Sequence, residues 1–262
     1  MIVRRVRPLH GWPRIRVRVN PRFDWGRTEP HITRGSNHLR YVGPDLTLRL
    51  NTNAPLSHVL AQTAFVLPGE LNFLLGSDET LQTGIAETAR DFEQKTTDYW
   101  RQWTRRLALP LEWQDAVIRA AITLKLSLYE DTGAIIAAMT TSIPEAPGSS
   151  RNWDYRYCWL RDAFFVVRAL NSLSEVATME DYLRWMSNVV IDSQGGHIQP
   201  LFGIGLEKSL PESFVDNLPG YRGMGPVRVG NQAQEHFQHD VYGNVILGCL
   251  LYTSPSPRDL ST

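Results

Sequence analysis

At Gly76 the hydrophobic period of this chain changes from two residues to about 3.6. Upstream, residues 15–19 (IRVRV) and 46–50 (LTLRL) alternate apolar and polar side chains, the pattern of strands with one face in a core and the other in water. Downstream, Leu81, Ile85, Ala89, Phe92, Thr96, Trp100, Trp103 and Leu107 recur every three or four positions, which is one face of a long helix. A chain with the two periods segregated in this way is α+β, with an antiparallel sheet before residue 75 and helices after it. Ser77 and Asp78 have side chains suited to capping the helix, which the spacing predicts to run for roughly 28 residues to near Pro110.

Further helical faces follow. Val117, Ala121, Leu124 and Leu128 share one; then come a short apolar piece, TGAIIAA at 132–138, and a loop containing Pro144, Pro147 and Gly148. Helical spacing returns at 160–172 and at 179–191, where Met179, Tyr182, Leu183, Met186 and Val190 align, and again at 231–248. Residues 193–230 are rich in Gly and Pro and lack a period, and so long a loop inside a compact domain is ordinarily functional. Helices alternating with long connections suit a helical toroid rather than a βαβ fold.

Charge narrows the partners. Lys plus Arg and Asp plus Glu both number 27, so no global field favours nucleic acid, an anionic membrane or an acidic substrate. Locally, residues 1–27 hold eight arginines against Asp24 alone. That is a nucleic-acid footprint on one reading and the solvent face of half-buried strands on the ordinary one, which we adopt, expecting no nucleic-acid partner. Cys158 and Cys249 are the only cysteines, too few for a disulfide scaffold and without companions at zinc spacing, so no metal is expected and a reducing cytoplasm suits the chain. No apolar run approaches the roughly 18 residues that cross a bilayer, and MIVRRVRPLHGW lacks the apolar stretch of a signal peptide.

The densest chemistry is RNWDYRYCWLRDAFF at 151–165. Trp153, Tyr155, Tyr157 and Trp159 alternate ahead of a helix expected to begin near Leu160, and Arg161 and Asp162 follow at once. A sugar ring has an apolar face and a rim of hydroxyls, so its site needs flat aromatic surface beside convergent donors and acceptors, and this stretch has both. Aromatics beside a helix start are also ordinary core, and an Arg-Asp pair is also an ordinary solvated ion pair. Asp154, Asp162, Glu207, Glu212, Glu235 and Asp240 are the acids of this region, each as able to cap a loop as to meet a ligand.

The run TGAIIAAMTTSIPEAPGSSRNWDYRYCWLRDAFF resembles the signature segment of glycoside hydrolase family 15, in its bacterial and archaeal glucoamylase-like and trehalase-like members. GGHIQPLFGI at 195–204, LPGYRGMGPVRVGN at 218–231 and QHDVYG at 238–243 extend the likeness in order, as do VNPRFDWGR and YWRQWTRRL upstream. The resemblance implies that residues 1–75 are the C-terminal part of a β-sandwich, 76–112 a linker helix and 113–248 the first part of an (α/α)6 barrel, and that no cofactor is needed. It implies inverting hydrolysis of an α-glucoside, an oligosaccharide or trehalose. Arg161 and Asp162 would bind hydroxyls of the terminal glucose, Tyr155 and Trp159 would wall its subsite, and Asp240 would lie near the mouth.

Inversion takes two carboxyl groups about 6.5–9.5 Å apart. The resemblance places both downstream of the DVYG motif and outside this chain, which is therefore expected to be a fragment, inactive alone, with apolar helix faces uncovered. CLLYTSPSPRDLST, 249–262, departs from the family pattern and is expected to be a non-native tail.

Overall fold

The structure is a computed structural model that describes residues 1–193 and 196–253. The chain is α+β and divides into two compact units, Met1–Gln102 and Trp103–Thr262.

In the first unit five antiparallel strands make one sheet: β1 (Ile2–Val6), β3 (His31–Arg34), β4 (His38–Val42), β5 (Thr47–Thr52) and β7 (Leu71–Ser77), in the order β1-β7-β5-β4-β3. A separate pair joins β2 (Arg14–Ile15) to β6 (Phe65–Val66). The sheet's apolar face presents Leu39, Tyr41, Leu50 and Phe73, which are buried with Leu56 and Val59 of a short helix, α1 (Leu56–Ala61). Burial of each such large side chain contributes about 2 kcal/mol.

The IRVRV strand is shorter than its pattern. Only Arg14–Ile15 carries ladder bonds, yet Val17 and Val19 still pack on the sheet's core while Arg16 and Arg18 face water. Alternation reports an extended backbone, and an extended backbone can bury alternate side chains without a hydrogen-bonded neighbour. The arginine stripe is partly matched by acids: Arg5 forks onto Glu70 at 3.0 Å and also meets Glu93, and Arg22 pairs with Glu29 at 2.9 Å. Hydrogen bonding from Arg5 holds the Glu70 carboxyl below its ordinary range.

The helix start is a correction. Ser77 is the last residue of β7, and Asp78 receives both Nε of Arg40, at 2.9 Å, and Arg49, at 3.8 Å. Two guanidiniums from β4 and β5 bind that carboxylate more strongly than a helix end would. The helix, α2 (Ile85–Arg105), is 21 residues long, excludes Leu81 and opens where Thr88 N–H reaches the Gly84 carbonyl.

In the second unit α3 (Gln114–Lys125) stops short of Leu128, which lies instead in β8 (Leu128–Tyr129), paired with β9 (Ala134–Ile135). Gly133 makes this turn with φ +89°, and a Cβ there would come within 2.1 Å of the Asp181 carbonyl. Helix α4 (Leu160–Ser172) buries Leu160, Ala163, Phe164, Val167 and Leu170, and α5 (Ala177–Ile191) buries Met179, Tyr182, Trp185, Met186 and Val189. Val190, expected on the inner face, is 40% exposed. Residues 231–248 are not one helix: Asn231 caps a 3-10 turn at Gln232–Glu235, His236 is extended, and α6 (Asp240–Thr253) begins anew. Because α6 runs on to Thr253, the helical pattern does not end at Cys249; residues 254–262 lie outside those described. Among the described residues no helix is long and apolar enough to cross a membrane.

The two thiols differ. Cys158 is fully buried, and burial pushes its pKa up to about 12, whereas Cys249 is exposed. Since thiolate is the reactive form, a disulfide reagent at about pH 8 is expected to titrate one thiol rapidly and the second only after unfolding. Two equally fast thiols would show that Cys158 is not sealed in.

Candidate functional site

The aromatic segment is an extended ribbon. Ser142 N–H donates to the Trp153 carbonyl at 2.9 Å, Ala138 N–H to Tyr155 at 2.9 Å and Ala137 N–H to Tyr157 at 3.0 Å. Next, β10 (Cys158–Trp159) pairs with β11 (Leu201–Phe202), and Leu160 N–H reaches the Pro200 carbonyl as α4 begins. Along such a ribbon alternate side chains share a face. Trp153 and Tyr155, with Trp159, Arg161 and Asp162, line a cavity of about 510 Å³. Tyr157 is not among its lining residues.

The opposite face of the ribbon is sealed. Asp154 is 0% exposed, takes Nε and Nη2 of Arg156 at 2.9 and 2.7 Å, and accepts the Gly230 N–H at 3.2 Å. The Asn231 amide donates to the Asp154 carbonyl at 3.0 Å. Only glycine fits position 230, where φ is +85° and a Cβ would meet the Pro211 carbonyl at 2.0 Å. Asp154 is therefore a strut joining the ribbon to residues 230–231.

The predicted ligands come together. Arg161 contacts Asp162 at 3.3 Å and Asp240 at 3.4 Å, and its guanidinium lies 5.4 Å from the Trp159 ring centroid. Asp240 meets the group through Arg161 and does not itself line the cavity. The contact from Arg161 to Asp162 Oδ2 lacks hydrogen-bond alignment. Asp162 Oδ2 and the Trp159 indole Nε1 are both buried without a hydrogen-bond partner among the described residues. Each such orphan costs about 1–3 kcal/mol. Both residues line the cavity, where Asp162 Oδ2 keeps its 3.3 Å ion-pair contact with Arg161. Burial raises the Tyr155 phenol, which like an ordinary phenol is neutral near pH 7 and able to donate.

A larger groove of about 640 Å³ exists in the first unit, but Ile2, Val17, Leu50 and Phe73 wall it together with arginines and no carboxylate. A third hollow, of about 720 Å³, is larger than either and is walled by Glu87, Asp91, Glu93 and Arg101 without an aromatic ring. The smaller cavity combines rings, cations and acids, and chemistry decides for it.

Residues 112–259 match the family model described as Glycosyl hydrolases family 15, a span that contains every residue lining the cavity. The chain belongs to glycosyl hydrolase family 15. A trehalase of Mycolicibacterium smegmatis is 32% identical to it over 94% of this chain and 39% of that protein. A trehalase of Thermoplasma volcanium is 39% identical over 58% of this chain and 24% of its own length. Trehalase 1 of Sulfolobus acidocaldarius is 31% identical over 87% and 40%. The family 15 chain thus spans less than half the length of these curated relatives. No solved structure matches it.

The other acids of this family 15 chain have other partners. Glu207 accepts the Gly205 N–H at 2.9 Å within its own turn, and Glu235 accepts from Gln232 at 3.3 Å. Glu212 does line the cavity, where it pairs with Arg228, a residue the sequence reading passed over. Arg228 sits in an aperiodic stretch, and its only mark in sequence is its place in PVRVGN.

Proposed function

We propose that this chain supplies the terminal-glucose subsite of an inverting hydrolase of α-linked glucosides, of trehalase or glucoamylase type. The supporting observation is that Tyr155, Trp159, Arg161 and Asp162 line one cavity, with the Arg161 guanidinium 5.4 Å from the Trp159 ring centroid and 3.3 Å from Asp162. In this reading Arg161 donates to neighbouring hydroxyls, Asp162 accepts from them, and Trp159 and Tyr155 cover the apolar face of the ring. Trehalose is the favoured substrate, because the relatives described above are trehalases. Residues 1–75, 76–112 and 113–248 are assigned to a β-sandwich, a linker helix and part of an (α/α)6 barrel. The general acid and base are assigned to stretches of the relatives outside the matched span, leaving Asp162 and Asp240 as ligands.

Glucose release from trehalose and from maltose by the protein at its relatives' full length tests this reading. Release from trehalose is expected; release from neither sugar would overturn it, and binding without release would favour a non-catalytic carbohydrate-binding role.

A further inference from the structure

The first unit carries one stretch of chain whose backbone and charges are both left open. Arg14–Ile15 pairs with β6, but the backbone of residues 16–19, which follows it, makes no hydrogen bond to the other described residues. Val17 and Val19 pack on the sheet's core, while Arg14, Arg16 and Arg18 are exposed and meet no acid among the described residues. The arginines on the sheet's other face are matched: Arg5 is held by Glu70, and Arg40 and Arg49 by Asp78. Beside the open stretch lies the groove of about 640 Å³, lined by apolar Ile2, Val6, Leu48 and Leu75 among others and by no carboxylate. We propose that residues 14–19 and this groove take up an extended acidic segment of a separate polypeptide, which adds to the unit as a further strand. The groove shares no lining residue with the sugar cavity, so this inference stands or falls independently of the hydrolase reading.

Three features select that partner. First, an extended backbone with free N–H and C=O groups is a template for another strand. Second, two rises of about 3.3 Å set Arg14, Arg16 and Arg18 about 6.6 Å apart, and a partner strand repeats its own alternate side chains at the same interval. Carboxylates at every second position therefore meet the arginines in register, as stabilising cross-strand pairs. Third, the residues between those carboxylates point the opposite way, toward the apolar lining of the groove, so the alternate positions of the partner are apolar.

The same arginines exclude other occupants. A second copy of this chain pairing through the same strand would set arginine against arginine, and like charges directly opposite are destabilising. A nucleic-acid strand brings anions, but it has no N–H and C=O ladder to complete the open backbone and no apolar side chains for the groove. An acidic strand supplies all three, and the uncompensated positive stripe also steers its approach.

Fluorescence anisotropy of a labelled octapeptide of alternating glutamate and valine, titrated with the full 262-residue chain, tests the proposal. Saturable binding is expected, weaker as salt rises and absent for the lysine and valine counterpart. Arg14→Gln, Arg16→Gln and Arg18→Gln combined should weaken it about tenfold in a chain whose circular dichroism matches the parent. Alternate N–H groups of a strand point to the same side, so methylating the glutamate nitrogens or the valine nitrogens should abolish binding of at least one of the two peptides. No binding of the acidic peptide, an affinity unchanged in the triple variant, or unchanged binding of both methylated peptides would overturn strand addition. So would an oligothymidylate of equal length that binds as tightly.

Discussion

Asp154→Ala is expected to destabilise the second unit by about 3–5 kcal/mol, read as a lower midpoint in urea followed by tryptophan fluorescence. The group is 0% exposed and holds the Arg156 fork on one side and the Gly230 N–H on the other. Deleting it removes an anion from beside a partly buried guanidinium and leaves a buried backbone donor unmatched, which is costlier than losing an exposed pair. Asp154→Asn keeps the shape and one acceptor, and should cost distinctly less. A midpoint unmoved by the alanine variant would show that the ribbon does not depend on this strut.

Arg161→Ala combined with Asp162→Ala is expected to weaken sugar binding at least about a hundredfold while leaving the midpoint nearly in place. The contrast with Asp154 is one of burial. The Arg161 and Asp162 side chains are 44% and 41% exposed, and an ion pair that wet contributes only about 0–1 kcal/mol to stability. Charge-assisted bonds to hydroxyls inside a cavity are worth about 1.5–3 kcal/mol each, so removing two of them shows in affinity. Calorimetry with trehalose against urea unfolding separates the outcomes: unchanged affinity would sink the site, and a large loss of stability would make the pair a structural one.

The residues differ in how openly they declare themselves. Helix α4 was legible at about 160–172 because Leu160, Ala163, Phe164, Val167 and Leu170 keep a helical period that burial honours. The start of α2 was not, because Asp78 has the same side chain whether it caps a helix or binds Arg40 and Arg49, and those arginines are distant in sequence. The same limit separates the two walls of the cavity. Tyr155, Trp159, Arg161 and Asp162 lie within one short stretch and could be grouped by eye. Arg228 and Glu212 reach Trp153 only through the folding of an aperiodic loop. Asp154, an acid among aromatics, looked as available for chemistry as Asp162 until its partners were known.

The two-faced ribbon ties the chemistry of this region to the parity of its length. Trp153 and Tyr155 look into the cavity while Asp154 is locked into the seam behind them. Gaining or losing a single residue between positions 153 and 157 would turn an indole toward the seam and a carboxylate toward the cavity. Change by pairs would preserve both faces, so divergence in this stretch should come as substitutions or as even-numbered steps, whereas the aperiodic loop opposite is free of that constraint.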